Sequence, residues 1–207
     1  MAVDTLNDCF YLTEDARDGG LYRFRPQNNL PDLTAGVLEI ASVTETNGGL
    51  YVSWHEVPDP QAKVAPTRLQ VAQSHPFRGA EGIVIQGNKA YFSTKHDNRV
   101  WSYDVQSHQL EIIYDIATSS NPILSGADNV TIIATGYVLV AEDRGNLQIV
   151  VLTPDDRVIP LLQLVGHDQS EVTGPAFDPL HQRLYFSSQR GTSGVSAGGI
   201  TFEISST

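Results

Sequence analysis

Carboxylate side chains recur at matching positions along the sequence. They precede or open apolar stretches at Glu81, Asp128 and Glu171, and they close other apolar stretches at Glu14 and Glu142. Carboxylate oxygens are the ligands that Ca²⁺ and other hard cations prefer. Like charges that a fold brings together repel one another unless a cation lies between them. If the fold gathers these acids, the sequence therefore predicts a calcium site.

Each of these acids has a simpler alternative role. Asp and Asn are common at strand ends because their side chains satisfy turns. For a single acid the turn is the favoured interpretation, whereas repetition in phase favours metal binding. Asp15 and Asp143, one residue after Glu14 and Glu142, fit either role equally well.

Two basic residues accompany the acids at the ends of apolar stretches. Lys95 stands where an acid is found in other copies of the pattern, and Arg190 follows Gln189. Either side chain could contact a phosphate group beside the metal, since both bind phosphate oxygens well. Neutralisation of the neighbouring carboxylates is the equally good alternative.

The acids and bases are placed by a repeat of short strands. Alternating Val, Ile, Tyr and Phe, broken by Gly, Asn, Asp and Pro, indicates strands and turns. A separation of 47 residues relates Glu81 to Asp128 and Lys95 to Glu142. A repeat of about 40–50 residues with roughly four strands is typical of a β-propeller blade. We therefore predict an all-β, β-propeller fold.

The whole chain is predicted to form one β-propeller region, residues 1–207, with about four blades and an irregular insertion. The blade-like repeats lie near 2–26, 80–117, 127–164 and 171–204, and the insertion covers 27–79. Alignment of the first repeat on the last places the chain start inside a blade's first strand. Propellers close with four to eight blades. We expect part of a larger propeller, which would self-associate or pair with a missing N-terminal half.

Composition excludes several function classes. A net charge of −11 without a Lys/Arg cluster argues against nucleic-acid and anionic-membrane partners. The single cysteine, Cys9, excludes an internal disulfide framework. No apolar run approaches the ~20 residues of a membrane span, and the N-terminus does not read as a signal peptide.

Five motifs, in this order, resemble the C-terminal half of the PhoX-type alkaline phosphatases of bacteria. They are YLTEDARDGGLYRFRP (11–26), GAEGIVIQGNKAYFSTKHDNRVWSYD (79–104), GADNVTI (126–132), VAEDRGN (140–146) and SEVTGPAFDPLHQRLYFSSQRG (170–191). The resemblance implies a secreted hydrolase, periplasmic or extracellular, that cleaves small phosphate monoesters at a Ca²⁺ and Fe³⁺ cluster in the propeller channel. It also implies that the metal ligands are Glu14, Glu81, Asp128, Glu142 and Glu171.

The resemblance has one gap. Members of that family carry, upstream, a cysteine with paired glutamates that contributes to the iron centre, and this segment has no counterpart here. We therefore expect an incomplete metal site, with iron the ion most affected. Two alternatives stay open from the residues: a calcium-dependent propeller hydrolase of lactonase type, and a non-catalytic calcium-binding propeller module.

Overall fold

The protein is described by a computed structural model in which residues 1–133 and 135–205 are defined. Strands and turns account for nearly all of its regular structure. The first nine strands are β1 Ala2–Asp4, β2 Cys9–Thr13, β3 Leu21–Pro26, β4 Gly36–Thr46, β5 Gly49–Glu56, β6 Ala80–Gln86, β7 Lys89–Thr94, β8 Arg99–Asp104 and β9 Gln109–Asp115. The remaining seven are β10 Ala127–Ile132, β11 Val138–Glu142, β12 Gln148–Leu152, β13 Val158–Gln163, β14 Val172–Phe177, β15 Arg183–Ser188 and β16 Ile200–Ser205.

Short 3₁₀ turns are the helical elements among the described residues. They lie at Thr67–Leu69, Gly191–Ser193 and Ser196–Gly198. In the described part of the chain, no helix has the length and apolar character required to cross a membrane.

The chain packs as two compact units. The first contains Met1–His96 and Trp101–Ile112, and the second contains Asp97–Val100 and the chain from Ile113 to the end of the described residues. Each unit has its own apolar core, because the alternating residues of its strands place apolar side chains on one face. The assignment of residues 1–207 to one propeller region stays a prediction.

Most of the nine strands β1–β9, which lie mainly in the first unit, pair with their neighbours in the chain, and β5 pairs with β9. Phe10 lies opposite Phe24 in the β2–β3 pair, and Phe24 lies opposite Leu38 in the β3–β4 pair. The sheet order is β1-β2-β3-β4-β5-β9-β8-β7-β6. The core includes the fully buried rings of Tyr11 and Phe92.

The second unit contains two separate sheets. Strands β10–β13 form a four-stranded sheet in chain order, and β14–β16 form a three-stranded one. Their side chains share a core whose buried members are Leu139, Ala141, Leu147, Ile149, Val172, Leu184 and Phe186.

These strand groups coincide with the repeats predicted from the sequence. The all-β, β-propeller fold is confirmed: residues 127–164 hold one antiparallel four-stranded blade, and residues 80–117 hold strands β6–β9. Residues 27–79 contain the β4–β5 hairpin, whose two strands the sequence also indicated.

A bulge occurs at the same point in three blades. The register shifts between Ala80 and Ile83 in β6, between Ala127 and Val130 in β10, and between Thr173 and Ala176 in β14. A β-bulge bends the strand and redirects the side chains beside it. The bulges in β6 and β10 lie at Glu81 and Asp128, two of the predicted ligands.

Candidate metal centre

Three carboxylates of the second unit come together. One carboxylate oxygen from each of Asp128, Asp143 and Glu171 lies within 4.8 Å of the other two. Among residues 1–133 and 135–205, this is the one place where three or more acidic, His or Cys side chains meet at such distances. Asp128 is buried, and Asp143 and Glu171 are partly buried.

Each carboxylate is placed by the backbone of a strand end. Asp128 lies in the bulge of β10. Asp143 follows β11, and its N–H donates to the carbonyl oxygen of Gly126 at 2.9 Å. Gly126 has φ of +64°, and a Cβ there would lie 2.8 Å from the Arg144 nitrogen. Glycine therefore allows the close approach that fixes Asp143 beside Asp128.

Glu171 lies before β14 in the last blade, at the position that Gly126 has before β10 in the preceding blade. Its carbonyl oxygen accepts the N–H of Gln189 at 3.1 Å, just as that of Gly126 accepts the N–H of Asp143. The last blade thus carries a carboxylate where the preceding one has glycine. Glu171 is equivalent in backbone pairing to Gly126 and not to Asp128, although its side chain reaches the same cluster.

Asn129 orients the Asp128 carboxylate. Its side-chain nitrogen donates to Asp128 Oδ1 at 2.6 Å. Its side-chain oxygen accepts hydrogen bonds from Thr173 Oγ1 at 2.8 Å and from the Gly174 nitrogen at 2.6 Å. The amide therefore joins β10 to β14 and holds one carboxylate of the cluster in place.

The cluster is electrostatically strained without a cation. Burial, together with hydrogen bonding to Asp143 and the charges of Asp143 and Asp128, raises the pKa of Glu171 to about 7, while Arg190 opposes the shift. Arg190 Nη2 lies 3.3 Å from Glu171 Oε2 and 3.6 Å from Asp143 Oδ1. Arg190 thus brings positive charge to two of the three carboxylates.

A polar cavity of ≈ 410 Å³ opens beside the cluster. Its lining includes Asp143, Glu171, Arg190, Arg144, Asp168 and Ser170. Two hydrogen bonds fix Arg190 in the cavity lining. Its Nε donates to the carbonyl oxygen of Gln169 at 2.9 Å, and its backbone N–H donates to Ser170 Oγ at 2.8 Å. The cavity offers both acidic and basic groups to a bound molecule.

A buried chain of hydroxyl groups supports this wall. Ser188 Oγ lies 2.8 Å from both Ser170 Oγ and His167 Nδ1. All three residues are buried. These hydrogen bonds fix the loop that ends at Glu171. The Glu171 backbone is therefore held by Ser170 before it and by the hydrogen bond from Gln189 to its own carbonyl oxygen.

Glu142 is placed apart from the three carboxylates. Its side chain is fully buried, and its two oxygens accept the N–H groups of Ser125 and Gln148, each at 2.8 Å. Burial raises the pKa of Glu142, and these two hydrogen bonds oppose the rise. Neighbouring residues of a strand point to opposite faces, which explains why Asp143 joins the cluster and Glu142 does not.

Two further predicted ligands lie in the first unit, each beside a basic side chain. Glu14 accepts hydrogen bonds from Arg68 Nη1 at 2.7 Å and from the Tyr22 hydroxyl at 2.7 Å. Glu81 forms an ion pair with Lys95, whose Nζ also lies 3.9 Å from Asp15 Oδ2. Lys95 and Arg190, the predicted phosphate contacts, are thus both engaged with carboxylates.

Sequence reasoning assigned part of this cluster. The sequence predicts Asp128 and Glu171 as ligands, gives Asp143 equal claims as ligand and turn former, and places Asn129 beside Asp128 in the same polar segment without showing what it contacts. The signal for Asn129 was its place in the bulge beside Asp128, but its partners Thr173 and Gly174 lie in another blade. Spacing along the chain does not show such a contact.

No protein-family model matches the chain, and no curated protein matches it. Among solved structures, it is similar to the extracellular domain of a one-component-system protein of Bacteroides thetaiotaomicron, with 11% identity over 90% of this chain and a TM-score of 0.46. It is also similar to a calcium-binding regucalcin of Agrobacterium tumefaciens, with 16% identity over 98% of this chain and a TM-score of 0.44. The chain spans 26% of the first protein and 88% of the second.

Proposed function

We propose that the protein binds Ca²⁺ at Asp128, Asp143 and Glu171. The proposal rests on the mutual approach of their carboxylate oxygens to within 4.8 Å. Ca²⁺ takes oxygen ligands at 2.3–2.6 Å, so two oxygens bound to one ion lie at most ~5 Å apart. The donor set therefore fits a hard cation. The proposal is limited to Ca²⁺, for which a set of carboxylate oxygens is the usual protein ligand.

Calcium titration of the chelator-treated chain tests this proposal. A ligand that binds the folded state alone stabilises it, so we expect the unfolding temperature to rise with Ca²⁺ concentration. Isothermal titration calorimetry gives the affinity and the number of ions bound. An unchanged unfolding temperature at millimolar Ca²⁺, with no heat of binding, would contradict the proposal.

Calcium affinity should increase with pH up to about 7. The pKa of Glu171 is raised to about 7 in the metal-free fold, and a carboxylate must lose its proton before it ligates. The stability of the metal-free protein should change with pH in the opposite direction. Because the pKa of Glu171 is higher in the folded than in the unfolded chain, its protonated form stabilises the fold below the ordinary pKa, and this contribution is lost as pH rises to about 7. Calorimetry in buffers of different ionisation enthalpy should detect proton release on Ca²⁺ binding near neutral pH, whereas equal heats in all buffers would oppose it.

The second candidate function is hydrolysis of phosphate monoesters at the same site. Two observations favour it: the PhoX-like order of motifs, and the presence of Arg190 in the cavity wall beside the carboxylates. A guanidinium group presents paired donors that match phosphate oxygens. Bound Ca²⁺ would polarise the phosphoryl group as a Lewis acid. The carboxylates would hold the ion, and Arg190 would orient the ester. A periplasmic or extracellular location belongs to this proposal.

Replacement of Arg190 by Gln tests the phosphatase candidate. We expect kcat/KM for p-nitrophenyl phosphate to fall about 100-fold, the loss typical of removing one donor to a developing anionic charge. Arg183→Gln is the matched control, because Arg183 pairs with Glu203, 3.7 Å away, outside the cavity lining. If the Ca²⁺-loaded chain cleaves lactones and no phosphate ester, the lactonase alternative replaces this candidate. If it cleaves neither, a non-catalytic calcium-binding module is the better description.

A further inference from the structure

Strand β16 lies at one edge of the three-stranded sheet β14–β15–β16. It pairs with β15 from Arg183↔Ser205 to Ser188↔Ile200. The preceding blade continues to a fourth strand, β13, which pairs with β12. Within residues 1–133 and 135–205 no strand pairs with the other edge of β16. An outer edge of this kind presents backbone donors and acceptors that can pair with another strand.

The side chains of β16 indicate what kind of strand would fit beside its outer edge. Ile200, Phe202 and Ile204 alternate along it and therefore share one face. Phe202 packs on the unit's core beside Phe186, with ring centroids 5.3 Å apart. Ile200 and Ile204 on the same face are nevertheless 41% and 45% exposed. Within residues 1–133 and 135–205, no strand lies beside the outer edge of β16 to cover these two side chains.

We propose that β16 pairs with β16 of a second copy of this chain, antiparallel and centred on Phe202. The two copies are related by a two-fold axis perpendicular to the sheet, so a side chain on one face of the first strand lies beside side chains on the same face of the second. Even-numbered residues therefore lie opposite even-numbered residues, and odd-numbered opposite odd-numbered. Ile200 of each copy then lies opposite Ile204 of the other, and Thr201 lies opposite Glu203.

The pattern of β16 fits itself in this register. The sequence Ile-Thr-Phe-Glu-Ile is symmetric in its apolar positions, so each exposed Ile covers the other. The two Glu203 side chains do not face each other, and directly opposed like charges, which destabilise strand pairs, are avoided. An arbitrary partner strand would need this alternation by chance, whereas a second copy has it by identity.

The interface is small, because it consists mainly of one strand edge. Contacts below about 1,200 Å² are typical of transient complexes. We therefore expect a dimer that dissociates on dilution. This inference is independent of the calcium site, since no residue of β16 belongs to the cluster.

A charge-swap experiment tests the dimer and its register together. One variant carries Ile200→Lys with Ile204→Lys, and the other carries Ile200→Glu with Ile204→Glu. Sedimentation equilibrium across protein concentrations should show a dimer for the parent chain and monomers for each variant. An equimolar mixture should dimerise again, because every Lys then faces a Glu. Leu180→Lys is the control, because Leu180 is an exposed apolar residue in the β14–β15 turn, away from β16, and its replacement should leave the dimer intact.

Three results would overturn the inference. They are a monomeric parent chain at the highest concentration, a dimer that survives both double variants, and a mixture that stays monomeric although both variants retain the parent circular dichroism spectrum. If a variant does not fold, hydrogen exchange of the parent chain gives the answer: amide protection in β16 should increase with protein concentration. Protection that does not depend on concentration contradicts the proposed pairing.

Discussion

Replacement of Asp143 by Asn should lower the affinity for Ca²⁺ at least about 100-fold. Ligand charge is one of the factors that set calcium affinity over several orders of magnitude, and Asp143 is one of only three carboxylates in the cluster. It is hydrogen-bonded to Glu171, and it lies 3.6 Å from Arg190. The amide keeps the size of the side chain and one oxygen, so the expected loss reflects charge and not packing. Calorimetric titration of the folded variant measures it.

The same replacement should have the opposite effect on the metal-free protein. Asp143 is one of the causes that raise the pKa of Glu171, because two carboxylates at close distance disfavour ionisation of either. Asn at position 143 removes that repulsion. We therefore expect the metal-free variant to be more stable than the parent chain at pH 8, although it binds calcium less well.

Asp168→Asn is the matched control for this experiment. Asp168 lines the same cavity but is not a member of the three-carboxylate cluster. Its replacement removes the same charge from the same cavity and should change the affinity less than 10-fold. Equal losses for the two variants would indicate general electrostatic attraction of cations to an acidic surface, and the proposed site would be wrong.

The fold was predictable because it depends on a repeat. Strand alternation and a 47-residue spacing are properties of the chain itself, and they place β6, β10 and their bulges at equivalent points. The repeat predicted the position of the acid less well in the last blade. There Glu171 lies before the strand and pairs through its carbonyl oxygen, so its equivalence to Gly126 emerges only from the backbone hydrogen bonds.

The site was predictable only in part, because spacing does not determine which side of a strand end faces the cavity. Glu142 and Asp143 are adjacent, and the choice between them depends on the backbone N–H groups of Ser125 and Gln148 that receive Glu142. The environment of Glu14 also depends on a distant residue. Its partner Arg68 belongs to the 27–79 segment, which follows no repeat, and so the ion pair could not be inferred from the pattern.

Replacement of Glu142 by Ala should reduce the free energy of unfolding by about 3 kcal/mol. The change leaves the Ser125 and Gln148 N–H groups without their acceptor, and each unsatisfied buried donor costs about 1–3 kcal/mol. Relief of the buried charge offsets part of that cost. For a chain of this size the unfolding temperature should fall by about 6–12 °C, as measured by calorimetry in the presence of a chelator.

Calcium binding separates this structural role from the ligand role that the sequence predicted for Glu142. If Glu142 supports the fold, the folded Glu142→Ala protein retains the three clustered carboxylates. Its Ca²⁺ affinity should then fall by about 10-fold, the low end of the loss that follows removal of an outer-shell partner. Glu203→Ala provides a matched control, because Glu203 is an exposed glutamate of the same unit whose surface ion pair with Arg183 stabilises little. At a protein concentration where the parent chain is monomeric, its removal should change the unfolding temperature far less than Glu142→Ala and leave the calcium affinity unchanged. An unchanged unfolding temperature combined with lost calcium affinity would instead establish Glu142 as a ligand. The unfolding temperature and the calcium affinity together therefore decide whether Glu142 stabilises the fold around the metal centre or is itself a ligand.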